Sequence, residues 1–210
     1  MKQTIRYGII GCGSMGREHI ENIKALERSV VTAIADPYTA SRDAAAALLA
    51  DAASQPKVFD RYHDLLASNL CDAVVIATPN FTHAEVMRDA LPTDLHLLVE
   101  KPLCTTLEDC TDLLERAQGR KAIVWVAQEY RYMPPVAEMI RIAHAGGAGT
   151  LHQVAIREHR EPFYPKVGDW NRFSVNTGGT LVEKCCHYFN LMELSCRNPL
   201  PACSPLAGSA

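Results

Sequence analysis

The stretch "IIGCGSMGREHI", residues 9–20, joins a β-branched apolar run to a helical pattern through three glycines. Gly11 permits a tight turn after a strand, Gly13 lets the backbone approach a phosphate, and Gly16 lets the helix pack close to that strand. The amides at the helix start would then face an anion. This order of strand, glycine turn and helix is typical of a dinucleotide-binding unit. The cofactor-binding positions predicted from the turn are Gly11, Gly13, Ser14, Met15 and Gly16.

An acidic residue stands where such a unit needs one. Asp36 closes the second predicted strand, twenty residues after Gly16, where a carboxylate accepts hydrogen bonds from the adenosine ribose. Its charge repels a 2'-phosphate, which favours NAD, although Arg42 is close enough to keep NADP as an alternative. A second interpretation is purely structural, with Asp36 capping the turn that contains Pro37.

Short β-branched-rich runs alternate with helical patterns through the first part of the chain. This alternation implies right-handed crossovers and an open parallel sheet with helices on both faces. The predicted fold class is therefore α/β, a doubly wound Rossmann sheet, with the nucleotide-binding domain at residues 1–128. The predicted strands are 4–10, 30–36, 72–78, 95–100 and 122–128, and the main predicted helices are 15–26, 40–52, 82–91 and 107–118.

The pattern changes after residue 128. A helix is predicted at 135–145, followed by a glycine break, an alternating strand at 150–160, an irregular loop and another helix. We expect residues 129–194 to form an incomplete α+β second domain. The remaining residues, 195–210, contain three prolines and no periodicity, so we expect a disordered tail.

Composition excludes several classes of protein. The 210 residues are 48% hydrophobic and 21% charged, with a formal net charge of -3 and no Lys/Arg block. We therefore expect a cytoplasmic globular protein with no nucleic-acid or membrane partner. The eight cysteines include no C-x-x-C pair. Adjacent residues in "CCH", 185–187, point about 100° apart on a helix, so no metal site is expected.

Further motifs follow the later strands and extend into the second half. They are Thr78-Pro79-Asn80 with His83, Glu100-Lys101-Pro102, "YRYMPPV", "DWNR" and "TGGTLVEKCCHYFNLM". Together with the glycine turn and Asp36, they resemble the Gfo/Idh/MocA oxidoreductases, the family of glucose-fructose oxidoreductase and inositol dehydrogenase. The resemblance covers about residues 4–194.

The resemblance implies roles for individual residues. Lys101 would hydrogen-bond the reacting hydroxyl or carbonyl, with Pro102 fixing its loop, and His187 would be the general base. Glu183 stands where the family has Asp; it lies four residues before His187 in a helical pattern, which predicts a shared face. The implied cofactor-side residues are Thr78, Pro79, Asn80, His83, Glu100 and Lys101. The implied substrate-side residues are Lys101, Arg131, Trp170, Arg172 and His187.

The resemblance also implies an activity. We expect an NAD-dependent oxidoreductase that transfers hydride between nicotinamide and a hydroxyl-bearing carbon of a sugar, sugar derivative or cyclitol. Full-length relatives form homo-oligomers through a large sheet that the final residues do not resemble, so the sequence predicts a shortened form with little activity alone. Two alternatives remain open: a non-catalytic nucleotide-binding or regulatory protein, and an interaction partner of full-length relatives.

Overall fold

The structure is a computed structural model that describes residues 4–52, 55–159 and 166–196. The chain divides into two compact units. The first contains the described residues of 1–127 and 165–183, and the second contains those of 128–164 and 184–210. The first division falls between Ala127 and Gln128, whereas the predicted boundary follows residue 128. The segment from Lys166 to Glu183 groups with the first unit, although the sequence prediction assigns residues 129–194 to the second domain.

The first unit is built on a six-stranded parallel sheet with the order β3-β2-β1-β4-β5-β6. The order reverses between β1 and β4, which makes that position the topological switch point. The predicted doubly wound Rossmann sheet is confirmed. The strands are β1 Ile5–Ile10, β2 Ser29–Ala35, β3 Lys57–Phe59, β4 Ala73–Ile76, β5 His96–Val99 and β6 Val124–Val126.

Helices connect successive strands, as the alternating pattern predicts. The helices of the first unit are α1 Ser14–Lys24, α2 Thr39–Ala47, α3 Tyr62–Leu66, α4 His83–Ala90, α5 Leu107–Ala117, α7 Ser174–Thr177 and α8 Thr180–Glu183. Because every strand runs in the same direction, the turns after β1, β2, β4 and β5 all emerge at one edge of the sheet.

The core lies on both faces of the sheet. Successive side chains of a strand point to opposite faces, so Ile9 packs into one cluster and its neighbour Ile10 into the other. Strand β4 is buried along its whole length and divides in the same way, with Val75 on the face of Ile9. Each fully buried aliphatic side chain stabilises the fold by roughly 1.5–3 kcal/mol, which explains the uninterrupted apolar strands.

The second unit is helical in its described residues, with α6 Pro134–His144 and α9 Cys186–Cys196. The predicted strand at 150–160 is wrong for its described part, because residues 150–159 form no strand. An alternating segment needs a neighbouring strand to accept its backbone hydrogen bonds, and the described residues of this unit offer none.

The end of the chain departs slightly from expectation. Helix α9 continues through Ser195 and Cys196, the first two residues assigned to the tail, and the rest of the predicted tail lies outside the described residues. The seven cysteines within the described ranges are free thiols. None of the helices in those ranges has the length and apolar character needed to cross a bilayer.

Candidate functional site

The glycine turn after β1 is shaped by two close backbone approaches. Gly11 has φ +93°, and a Cβ there would lie 2.6 Å from the Ala77 carbonyl oxygen. A Cβ on Gly16 would lie 1.9 Å from the Gly11 carbonyl oxygen, so α1 packs against the turn only without a side chain at that position. A Cβ on Gly13 would meet nothing within 4 Å. Gly11 and Gly16 are therefore needed by packing, whereas Gly13 borders open space.

The start of α1 has the properties of a phosphate site. Gly13 is its N-cap, and no side chain of the described residues caps the first turn. The amides of Ser14 and Met15 thus retain their capacity to donate, at the positive end of the helix dipole. The open space at Gly13 lets a ligand approach these amides closely. The chemistry of this turn fits the pyrophosphate of a dinucleotide.

Asp36 follows β2 at the same edge of the sheet and is buried. Its Oδ2 accepts a hydrogen bond from the Cys12 amide at 2.7 Å, and its Oδ1 accepts one from the Tyr38 amide at 2.8 Å. Each carboxylate oxygen has the capacity to accept a further hydrogen bond, so this geometry suits both the ribose and the turn-capping interpretations. Arg42 donates to the Asp36 carbonyl oxygen at 2.6 Å and to Thr39 Oγ1 at 3.0 Å.

The turn after β4 carries Thr78, Pro79 and Asn80, and Asn80 is buried. His83, at the start of α4, has no exposed surface. Its Nε2 lies 2.9 Å from the Thr78 carbonyl oxygen and its Nδ1 lies 2.8 Å from the Pro102 carbonyl oxygen. Burial lowers the pKa of His83, and this outweighs the two carbonyl groups, which raise it. The neutral ring carries one N–H, so it donates to one of these two carbonyl oxygens and packs between the two turns.

The turn after β5 contains Lys101, whose peptide bond to Pro102 is cis. The Lys101 ammonium donates to the carbonyl oxygen of Glu183, at the end of α8, over 3.3 Å. The preceding residue, Glu100, is buried; its Oε1 lies 2.7 Å from His19 Nε2 and its Oε2 accepts from the Lys101 amide at 3.2 Å. Burial raises the pKa of Glu100, but His19 and the Lys101 charge outweigh it, and the net pKa is lowered.

Trp170 and Arg172 lie in a 3-10 segment of the first unit, Val167–Arg172. The Trp170 ring makes an edge contact with Phe81 in the turn after β4, with centroids 6.4 Å apart. The structure therefore brings Trp170 to the Thr78–Asn80 turn. Arg172 is exposed and pairs with Asp169 at 3.1 Å.

His187 and Arg131 belong to the second unit. His187 is 1% exposed, and its ring stacks on Tyr130 with centroids 4.0 Å apart and planes 3° from parallel. The His187 Nε2 lies 3.5 Å from Glu129 Oε1. Arg131 donates from Nε to Asn190 Oδ1 of α9 at 3.0 Å.

A charged cluster supports the Tyr130 ring. The buried Lys184 ammonium contacts the Tyr130 hydroxyl and lies 3.0 Å from Glu158 Oε2. Glu158 also accepts hydrogen bonds from the hydroxyls of Tyr130 and Tyr188. Burial raises the pKa of Glu158, but these partners outweigh it and lower the pKa to about 2. Lys184 and Glu158 therefore fix the ring that lies against His187.

The predicted helix across Glu183 and His187 is interrupted. Helix α8 ends at Glu183 and α9 begins at Cys186, so the four-residue spacing does not place the two residues on one helical face. The physical reason is the pair of turn residues at 184–185, where the helical hydrogen-bond ladder stops. Their catalytic roles stay predictions.

Two residues near these turns were not predicted. His19 pairs with Glu100, and its three-residue spacing from Gly16 on one helix face was an available signal. Lys166 donates to Ser14 Oγ at 2.6 Å. It lies in an irregular segment, and nothing in the local sequence indicates this contact.

Comparisons with known proteins agree with the Rossmann fold of the first unit. Residues 5–128 match the family model described as "Oxidoreductase family, NAD-binding Rossmann fold". The chain is 34% identical over 195 residues to an inositol 2-dehydrogenase of Corynebacterium glutamicum, covering 91% of this chain and 54% of the relative. It is 27% identical over 188 residues to the rhizopine catabolism protein MocA of Rhizobium meliloti, covering 90% of this chain and 56% of that protein.

Solved structures show the same fold. The myo-inositol dehydrogenase of Lactobacillus casei, in complex with NAD(H) and myo-inositol, superposes with a TM-score of 0.73 at 23% identity. That match covers 93% of this chain and 55% of the other. The chain thus spans about half the length of the relatives it matches.

Proposed function

This chain belongs to the Gfo/Idh/MocA oxidoreductase family, which has an NAD-binding Rossmann fold, and on that premise we propose that it is an NAD-dependent dehydrogenase. Its substrate is a sugar, a sugar derivative or a cyclitol. Hydride passes between nicotinamide C4 and a hydroxyl-bearing carbon of that substrate, which is the chemistry that NAD supplies when bound. The family prediction itself is confirmed.

One observation carries the proposal. The glycine turn, Asp36, the Thr78–Asn80 turn and Lys101 all follow strands of one parallel sheet, at its carboxyl edge beside the switch point. Ligands of doubly wound sheets bind at this edge. The open space at Gly13 and the uncapped first turn of α1 suit the pyrophosphate, and Asp36 suits the ribose. The turn after β5 supplies Lys101 as the hydrogen-bond donor for the reacting oxygen of the substrate.

We assign the chemical roles accordingly. Lys101 donates a hydrogen bond to the reacting oxygen, which favours the developing charge there. Glu100, fixed by His19, holds the backbone from which Lys101 projects. His187 accepts the hydroxyl proton, with its ring held by Tyr130. Glu183 orients the substrate or the imidazole, and Arg131, Trp170 and Arg172 contact the substrate.

An observation also favours a second candidate, a non-catalytic nucleotide-binding or regulatory form. The described part of the second unit contains helices but no strand. A protein of this kind would bind NAD through the first unit without turnover.

The deciding experiment measures NAD reduction at 340 nm with the purified chain and a panel of sugars and cyclitols, together with NAD affinity by calorimetry. We expect turnover that falls by about 10²–10⁴-fold in Lys101→Ala, with NAD affinity nearly unchanged. Lys121→Ala is the matched control, because Lys121 is exposed at the opposite edge, before β6. Binding without turnover on any substrate would favour the non-catalytic form, and an active Lys101→Ala variant would refute the mechanism.

A further inference from the structure

Two cationic side chains touch the glycine turn. Arg17 donates from Nη1 to the Cys12 carbonyl oxygen at 2.9 Å. The Lys166 ammonium donates to Ser14 Oγ at 2.6 Å, and 152 positions separate these residues. The second cation therefore comes from a distant segment of the first unit, which brings it to the first residue of α1.

The surroundings of the Lys166 ammonium disfavour its positive charge. Its side chain is partly buried, and burial is the largest cause of a lowered Lys166 pKa. The positive charge of Lys101 lowers it further, and Arg17 adds a smaller effect of the same sign. Glu100 and Glu183 act in the opposite direction without reversing the result. Glu100 is moreover already bonded to His19. A partly desolvated ammonium among other cations is stabilised by a nearby anion.

The same place has room and donors for that anion. A Cβ on Gly13 would meet nothing within 4 Å, and α1 is an eleven-residue helix whose first turn has no side-chain cap from the described residues. An ammonium carries three donors, and the bond to Ser14 uses one of them. Backbone amides and a lysine are thus directed at one small region.

We propose that Lys166 is a ligand of the dinucleotide pyrophosphate, to which it donates from the side of Ser14. This inference rests on the proposed function and adds to it a residue outside the glycine motif. Lys166 supplies a charge that the turn itself lacks, since the backbone amides of the turn carry only partial charges. In the alternative interpretation, the Lys166–Ser14 bond only tethers the segment and contributes nothing to cofactor affinity.

The test measures the affinity of the full chain for NAD and for ADP-ribose, which share the pyrophosphate, by calorimetry at two salt concentrations. A charge-assisted hydrogen bond at a partly exposed site predicts affinity about tenfold weaker for both ligands in Lys166→Ala. The salt dependence of binding should also become shallower, because one cation has been removed. Lys166→Arg should retain most of the affinity, and Lys121→Ala should behave as the unmodified protein.

A pH series gives a second measurement. Raising the pH deprotonates Lys166 and should weaken NAD binding in the unmodified protein more steeply than in Lys166→Arg, because arginine stays charged. Thermal unfolding of the unliganded variants shows whether a loss of affinity comes from loss of fold. Lys166→Ala binding within twofold of the unmodified protein would overturn the proposal while leaving the proposed function intact. No NAD binding by the unmodified protein would overturn both.

Discussion

Replacing His83 by leucine removes the imidazole that lies between the carbonyl oxygens of Thr78 and Pro102, in the turns after β4 and β5. Because burial lowers the pKa of His83, the ring is neutral at pH 7 and donates one hydrogen bond. Losing that bond leaves a buried carbonyl without its donor, which costs about 1–3 kcal/mol. The change of shape in a fully buried site adds about 1 kcal/mol. We therefore expect the free energy of unfolding to fall by about 2–4 kcal/mol.

Urea denaturation followed by tryptophan fluorescence measures this change, because Trp125 and Trp170 both lie in the first unit. His83→Gln keeps a donor, so it should lose less stability than His83→Leu. His152→Leu is the control, because His152 is exposed. A fall below about 1 kcal/mol in His83→Leu would refute the argument that the imidazole donates to a buried carbonyl oxygen.

The pH dependence supplies an independent check. The pKa of His83 is lowered in the folded protein, so its contribution to stability is present above the unfolded pKa, near 6.5, and is lost as the pH falls below it. Between about pH 7.5 and 5.5, the unmodified protein should lose more stability than His83→Gln, which does not titrate there. Parallel curves for the two proteins would show that His83 is not held neutral by burial.

Four further predictions concern the glycine turn, Asp36 and the second unit. Gly13→Ala should fold normally, because its Cβ would enter open space, but it should bind NAD at least tenfold more weakly than the unmodified protein. Gly16→Ala should not fold, because its Cβ would lie 1.9 Å from a carbonyl oxygen, and circular dichroism measures this loss. An NAD affinity of Gly13→Ala equal to that of the unmodified protein would contradict the assignment of the pyrophosphate to the start of α1. Asp36→Ala should narrow the preference for NAD over NADP in titrations, and equal affinities in the unmodified protein would contradict the role given to this carboxylate. Lys184→Met should destabilise the second unit by about 1 kcal/mol, because Glu158 is exposed and keeps the hydrogen bonds from the Tyr130 and Tyr188 hydroxyls when the ion pair is lost. An unchanged midpoint in denaturant would exclude a structural role for the pair.

The alternation of apolar runs and helical patterns was sufficient to predict the sheet. Each predicted strand of the first unit forms within a few residues of its expected limits, because a strand buried on both faces requires a continuous β-branched run. The glycine turn could also be predicted from the sequence, because Gly11 and Gly16 lie so close to other backbone atoms that a side chain would obstruct the contact. In these places a local pattern of residues is enough to predict the element, even though Gly11 itself packs against the distant Ala77.

Local patterns were less informative in the second unit. The alternation at 150–160 matches a strand, yet its described residues form none, because a strand depends on a neighbour that the alternation cannot supply. The four-residue spacing of Glu183 and His187 fits one helix, but the chain breaks that helix at 184–185. Spacing indicates a shared face only where the helix is continuous.

Local sequence patterns were enough to predict the order of strands and helices along the chain, the glycine turn and the acidic residue after β2, because each pattern spans residues close together in the chain. The side chains that meet at the carboxyl edge of the sheet could be identified only in the folded protein. His19 reaches Glu100 across 81 positions, and Lys166 reaches Ser14 across 152. Such contacts depend on how crossovers pack distant segments against the sheet. The helical spacing of His19 from Gly16 indicates the face on which His19 lies but not its partner, and no spacing indicates the contact of Lys166.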